Sequence, residues 1–305
     1  MDIDTAGALR DLRRTRQSRR LGGAEWFDVA YRVYLFALVG LTGVVLTSDA
    51  IDGVVGDGIE TSDLLARGPS IIGLFVVAAF GLGLRSGADG GPLAIEVADI
   101  RHVLLSPIGR RRALLRSVGQ RIRSVTFSIS LATAVLGQFV AREVEGSRAA
   151  WAAAGALFGA VTGAVFVVSA LIAHVIRLPR WAATALATIA LAWQGAAAWI
   201  NWSGPSTSLL RFGPADLDGS LAFWGIRQQG IDVVAIAITF GAIVVSLALC
   251  GGLRIEPLER RGSLVTQLRF AATVQDLRTV VMLRRQLRAE TLRSTPWGGS
   301  MRTPL

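Results

Sequence analysis

Long apolar runs separated by short polar stretches dominate the chain. A soluble domain of 305 residues would spread its apolar residues in periodic stripes, whereas a helix that crosses a membrane needs about 20 consecutive apolar residues. Runs of that length, rich in Val, Leu, Ile, Ala and Gly, predict an all-α, polytopic membrane helix bundle. We place six spans, at residues 27–47, 65–84, 124–141, 149–176, 181–202 and 231–253.

The positions of the arginines predict how this bundle is oriented. All 32 basic residues are arginine, and loops on the cytosolic side of a membrane carry an excess of basic residues. A cytosolic N-terminus puts 26 of the 32 arginines on the inside, and six spans return the C-terminus there. The net charge of +10 is therefore a topology signal and an attraction to anionic lipid, and we expect no nucleic-acid partner.

This topology divides the chain into three parts. We expect a cytosolic basic N-terminal segment at residues 1–26, a six-span transmembrane domain at 27–253, and a cytosolic basic amphipathic tail at 254–305. The loop at residues 48–64 has five acids and no base, as an external loop can.

Composition also excludes several kinds of chemistry. Without lysine, the chain can form neither a Walker-type phosphate loop nor a Schiff base. The single cysteine, Cys250, cannot form an internal disulfide, and no Cys/His cluster has metal-ligand spacing. We therefore expect no metal, no cofactor and no nucleotide site in this chain.

The longest internal loop, residues 85–123, has an amphipathic pattern of its own. Its apolar residues between 93 and 104 recur at helical spacing. Ser106 and Pro107 then form a helix-start signal, and the second helix is basic and runs into the third span. The loop is either an interfacial helix anchored by snorkelling arginines or a docking element for a cytosolic partner.

Two stretches carry a resemblance to a known family. The pattern "GPLAIEVADIRHVLLSPIGRR" (residues 91–111), between spans two and three, resembles permease subunits of ABC exporters, notably multi-span actinobacterial permeases. The tail stretch "LRFAATVQDLRTVVMLRRQLRAE" (residues 268–290) is similar to a segment that precedes a second membrane half in such permeases. This chain ends at residue 305, so we expect a half-size permease that dimerises or a truncated version of a longer one.

The resemblance implies a function and its partners. It implies a permease subunit in a bacterial inner membrane, with both termini cytosolic, which exports a hydrophobic or amphipathic substrate using a separate ATP-binding cassette ATPase. A second permease half or a homodimer, and membrane lipid, would be the other partners. The implied ATPase-coupling residues are Glu96, Asp99, Arg101, His102, Ser106, Pro107 and Arg110.

Small and polar residues inside spans add two further candidates. Gly155, Gly159 and Gly163 leave one face of the fourth span bare, which lets a neighbouring helix approach closely. That face is either a static packing surface or a sliding or dimer contact. Gln194, in the middle of the fifth span, is either a helix–helix hydrogen-bonding group or part of a substrate path. The loop at 203–230 is either a short interfacial helix or an ordinary connection.

Two alternative functions remain. A membrane-embedded enzyme would need paired carboxylates or a nucleophile–base pair at one depth. Asp52 and Asp57 lie on an external loop without a basic partner, and the predicted topology puts Ser70 and His174 near opposite faces. A membrane scaffold without transport differs from the permease only by the absence of an ATPase partner.

Overall fold

The computed structural model describes residues 61–88, 110–144, 147–203 and 211–253, which are helical and contain no strand. The first predicted span, the N-terminal segment and the tail from 254 lie outside these residues. The helices are α1 (Thr61–Ala88), α2 (Arg110–Glu143), α3 (Arg148–Val175), α4 (Arg180–Ser203), α5 (Asp216–Ser220), α6 (Trp224–Arg227) and α7 (Asp232–Leu249). Short 3₁₀ turns at Leu221–Phe223 and Cys250–Gly252 follow α5 and α7.

Five of the described helices are long and apolar enough to cross a membrane. Their candidate spans are Leu65–Ala88, Ala113–Ala141, Arg148–Val175, Arg180–Ser203 and Asp232–Gly252. They correspond to the second to sixth runs predicted from the sequence. The all-α, membrane-compatible fold is thus confirmed.

Helix α3 is the centre of the bundle, with α1, α2 and α7 packed around it. Ser147 caps its first turn by accepting a hydrogen bond from the backbone N–H of Ala150 at 3.1 Å. Glycine and alanine along its length let the neighbours approach closely, and more than half of its residues are buried. The core therefore forms around an apolar helix whose small residues allow close packing.

The helices run in two opposite directions. Trp151, at the start of α3, packs near Gly137 towards the end of α2, while Leu171 packs with Leu114 near the start of α2. α1 and α7 run parallel to α3, and α4 runs antiparallel to α1. We call the end at which α3 begins the Trp151 end, and the opposite end the Cys250 end.

Each half of the bundle has its own apolar cluster. At the Cys250 end, the buried side chains come from α2, α3 and the end of α7: Leu114, Val118, Ile122, Val167, Leu171, Cys250 and Leu253. Towards the Trp151 end, residues of α1, α3 and α7 pack around the connection that precedes α7. The buried residues of this cluster are Val76, Val77, Phe158, Val161, Ala215, Leu221 and Ala235.

The connection between α4 and α7 folds into the bundle instead of passing over its end. In this inserted segment, residues 211–230, the side chains of Ala215 and Leu221 are buried. Gly219 lies against the backbone of Pro69 and Gly73, so closely that a Cβ atom would overlap with the Pro69 carbonyl oxygen. Gly73 is about 12 Å along α1 from Leu65 at 1.5 Å per residue. The segment thus enters the apolar part of the bundle, which the sequence alone left undecided.

Candidate functional site

The most polar part of the described interior is the place where the inserted segment meets α1 and α4. Gln194 of α4 is fully buried here. Its Nε2 group donates hydrogen bonds to the carbonyl oxygen of Ser70 at 2.7 Å and to Oδ1 of Asp216 at 2.8 Å. Its Oε1 atom accepts one from the backbone N–H of Ala215 at 3.0 Å. One amide therefore joins α1, α4 and the inserted segment, using both of its N–H groups.

Asp216 also binds the backbone at the beginning of the inserted segment, next to the backbone group that Gln194 binds. Its second carboxylate oxygen, Oδ2, accepts a hydrogen bond from the backbone N–H of Gly213 at 2.7 Å. A Cβ atom on Gly213 would overlap with Oε1 of Gln194, so glycine is required at this close approach. The carboxylate and the amide together satisfy backbone groups that would otherwise be buried without partners.

A second amide, Asn201, lies seven residues after Gln194 and therefore on the same side of α4. Its Nδ2 group donates to Oγ of Ser70 at 2.7 Å and to the carbonyl oxygen of Arg211 at 3.0 Å. Its Oδ1 atom accepts from Nε of Arg211 at 3.1 Å. Asn201 thus anchors the beginning of the inserted segment as Gln194 anchors its middle.

Trp193 has a partner that explains its unusual depth. The other tryptophans of α4 lie near its two ends, as interfacial residues usually do, while Trp193 lies within the span. Its indole Nε1 donates a hydrogen bond to the carbonyl oxygen of Phe212 at 3.0 Å. The polar edge of the ring is therefore used to bind the inserted segment.

The far end of the inserted segment is tied to α7 by two buried polar side chains. Oγ of Ser220 lies 2.6 Å from Oδ1 of Asp232 and 2.7 Å from the carbonyl oxygen of Leu217. Asp232 is fully buried, and its Oδ2 atom has no hydrogen-bond partner among the described residues. The Trp151 end thus contains a buried acid in the first turn of α7.

Asp218, in the middle of α5, is a second acid in an unusual environment. Burial raises the pKa of its carboxyl group from 3.8 to about 6, because a carboxylate loses hydration when it enters an apolar surrounding. Stability of the inserted segment is therefore coupled to pH in the mildly acidic range.

The predicted glycine face of α3 lies against α2. A Cβ atom on Gly155 would overlap with the carbonyl oxygen of Thr133, and one on Gly159 would overlap with Oγ1 of the same threonine; one on Gly163 would lie 3.0 Å from Cα of Thr126. Oγ of Ser130 also donates a hydrogen bond across this contact to the carbonyl oxygen of Ala156 at 2.8 Å. Backbone is thus in direct contact with backbone along much of the two helices.

Of the predicted coupling residues, Glu96, Asp99, Arg101, His102, Ser106 and Pro107 lie outside the described residues. Arg110 is the first residue of α2. As predicted, the basic residues from Arg110 onwards and the third apolar run form one helix, which continues without interruption to Glu143.

Of the two arrangements that a membrane-embedded enzyme would need, the carboxylates Asp52 and Asp57 lie outside the described residues, and Ser70 and His174 lie within them. No group of three or more His, Cys, Asp or Glu residues there could hold a metal ion. Ser70 lies beside Asn201 towards the Trp151 end, while His174 lies near the Cys250 end, where its Nδ1 nitrogen is hydrogen-bonded to the carbonyl oxygen of Gly87 at 3.2 Å. The structure therefore does not bring this serine and histidine together.

No protein-family model, no curated protein and no solved structure matches the chain.

Proposed function

We propose that this chain is the membrane-embedded permease subunit of an ABC exporter, which moves a hydrophobic or amphipathic substrate using a separate ATPase subunit. In this proposal residues 27–47 add a sixth span, and both termini and the Cys250 end face the cytosol of a bacterial cell. Residues 93–107 form the coupling helix that docks on the ATPase, and a second permease half or a second copy completes the transport path.

The observation that supports this proposal best is the continuity of α2. The predicted docking stretch ends at Pro107, and α2 begins at Arg110. A helix of 34 residues is about 51 Å long at 1.5 Å per residue, so it is longer than the hydrocarbon core of about 30 Å. A displacement at residues 93–107 would therefore pass directly into a rigid element that crosses the whole bundle.

The contacts of α2 provide a way to transmit that displacement. Through the glycine face, α2 lies directly on the backbone of α3, the central helix. Close packing of this kind resists separation of the two helices, because dispersion contacts are lost at once when a gap opens. A force on α2 would thus move α3 with it, and α3 contacts α1 and α7.

The contacts of Gln194 favour one of the two roles that the sequence left open, a hydrogen-bonding group between helices, over a place in a substrate path. Both of its N–H groups and its carbonyl oxygen already have partners. We propose that Gln194 holds the inserted segment in place. A substrate that bound Gln194 would have to break at least one of these bonds.

The test is association of the ATPase with charge-reversed variants. Asp99→Arg reverses a charge on the proposed docking helix and should weaken association by about 1–3 kcal/mol if the charge pair is desolvated. Asp57→Arg makes the same change in the predicted external loop and is the matched control. Both tagged variants are purified from the native membrane, and the amount of ATP-binding cassette protein that accompanies each is quantified against the wild-type chain.

The result separates the permease from the two alternative functions. Loss of the ATPase from Asp99→Arg alone supports the permease. Full retention in Asp99→Arg would show that the segment is a membrane anchor, and absence of any ATPase from the wild-type preparation would favour the scaffold or the membrane enzyme.

A further inference from the structure

A basic groove lies on the side of α2 that faces away from the rest of the described bundle. Arg116, Gly119, Gln120 and Arg123 line it, and the two arginines and the glutamine are exposed. Gly119 forms an open floor, because nothing lies within 4 Å of a Cβ atom built on it. Within the part of the chain that the structure describes, neither arginine has an ion-pair partner. The groove therefore has two positive charges and room for an anion.

The groove continues into an apolar surface along the same side of the helix. Arg116, Gln120, Arg123, Phe127 and Leu131 follow each other at spacings of three or four residues, which places them in one stripe. Phe127 and Leu131 have exposed fractions of 65% and 43%. We call these five residues the outward stripe, which is basic at one end and apolar at the other.

The part of the outward stripe from Arg116 to Phe127 matches one leaflet of a bilayer in length and position. Its basic end is near the Cys250 end, because Leu114 and Val118 pack there against Leu171. Phe127 is close to the middle of the bundle, since nearby Ile129 lies against Gly159. Arg116 and Phe127 are about 16 Å apart along the helix axis, and half of a hydrocarbon core is about 15 Å.

We propose that the outward stripe is a binding site for an anionic phospholipid, with the lipid phosphate between Arg116 and Arg123 and an acyl chain along Phe127 and Leu131. Arginine suits this role because its planar guanidinium group can form two parallel hydrogen bonds to phosphate oxygens. Gln120 can add a further donor. The site is independent of the proposed ATPase partner, because it requires only that the Cys250 end lies at a membrane surface.

The apolar end of the stripe distinguishes a lipid from other phosphate-bearing ligands. A free phosphate or a nucleotide would use the arginines but would leave Phe127 and Leu131 exposed to the membrane interior. A lipid uses both ends, because its charged head and its chain are joined at about the distance that separates Arg123 from Phe127.

The test compares lipid retention by the full-length chain. The protein is placed in nanodiscs of equal parts phosphatidylglycerol and phosphatidylcholine with the same acyl chains, extracted in mild detergent, and analysed for bound lipid by native mass spectrometry. We expect the wild-type chain to retain phosphatidylglycerol over phosphatidylcholine by roughly tenfold or more, as two arginines near an anionic head group predict.

Two variants and one control locate the site. Arg116→Gln with Arg123→Gln should abolish the preference by removing the charges, and Gly119→Leu should abolish it by filling the floor with the charge unaltered. Arg111→Gln with Arg121→Gln removes the same charge from other sides of α2 and should retain the preference. Size-exclusion profiles show which variants remain folded. If the double arginine variant does not fold, Gly119→Leu still tests the site.

Three outcomes would overturn the proposal. One is equal retention of both lipids by the wild-type chain, and another is a preference that survives both Gly119→Leu and the double substitution at the groove. The third is a combination of two results: inorganic phosphate displaces all bound phosphatidylglycerol, and Phe127→Ser does not change the retention of phosphatidylglycerol. The groove would then bind phosphate without a lipid chain.

Discussion

The Nε2 group of Gln194 donates a hydrogen bond to Oδ1 of Asp216 at 2.8 Å. This bond connects the apolar helix α4 to the short helix α5, which comes after it in the chain. The same nitrogen also reaches the carbonyl oxygen of Ser70 in α1. Polar groups in an apolar interior are stable only when they are paired, so these bonds hold the inserted segment at one depth in the bundle.

Gln194→Leu should release the inserted segment. The backbone N–H of Ala215 would lose its only hydrogen-bond partner among the described residues and Asp216 would lose a donor, at a cost of about 1–3 kcal/mol. We expect a lower melting temperature in detergent and faster proteolysis within residues 211–230. Gln138→Leu makes the same exchange at an exposed position of α2 and should change neither quantity. Equal proteolysis of the two variants would show that Gln194 does not hold the segment.

Stability should depend on pH through Asp218. Because burial raises the pKa of this group from 3.8 to about 6, the folded chain binds the proton more tightly than the unfolded chain. Proton binding by Asp218 therefore stabilises the folded chain by at most about 3 kcal/mol. This stabilisation is complete below about pH 4 and is lost as the pH rises through 6.

Asp218→Asn removes this dependence. The melting temperature of the variant should equal or exceed that of the wild-type chain at neutral pH. The difference between the two melting temperatures should narrow as the pH falls from 7 to about 4. Parallel melting curves for the two chains across this range would contradict a raised pKa of Asp218.

Gly159→Leu should prevent α2 from approaching α3. A side chain at this position would overlap with Thr133, and overpacking of such a contact costs about 1–3 kcal/mol or more. We expect a large loss of folded protein in size-exclusion chromatography. Gly241→Leu, in α7, is the control, because nothing lies within 4 Å of its Cβ position. Wild-type yield of Gly159→Leu would show that the two helices do not need this close approach.

The sequence was sufficient to predict the long helices and most of their limits. The fourth predicted span, 149–176, differs by one residue at each end from α3, Arg148–Val175. An unbroken apolar run specifies its own secondary structure, because every backbone group must be paired within the helix. The continuity of the basic stretch with the third span was predicted for a different reason, the helix-start signal at Ser106 and Pro107.

The inserted segment and most of the polar site were not predictable in the same way. The sequence of Asp216–Ser220 is DLDGS, which has no helical periodicity. This segment is held in position by contacts with residues that are distant from it in the sequence. Gln194 was a candidate because it is polar in an apolar run, but its partners lie 21, 22 and 124 residues away. The seven-residue spacing of Gln194 and Asn201 was the one local signal for a polar side of α4.

The predicted orientation places the Trp151 end outside the cell and the Cys250 end in the cytosol. In a Cys250→Ala background, a cysteine introduced at Gln229 should react with an impermeant thiol reagent added to intact cells. A cysteine introduced at Arg177 should react only after the membrane is opened. Both positions are exposed, so labelling of both from the outside would contradict the orientation and the cytosolic position of the proposed coupling helix.

The measurement that tests the central claim most directly is ATP hydrolysis by the assembly isolated from the native membrane through this chain. The permease account predicts that an ATP-binding cassette subunit is present in a fixed ratio to the chain, and that the assembly hydrolyses MgATP although the chain has no lysine for a phosphate loop. Isolation of the folded chain without a nucleotide-binding partner, or of an assembly that does not hydrolyse ATP, would contradict it.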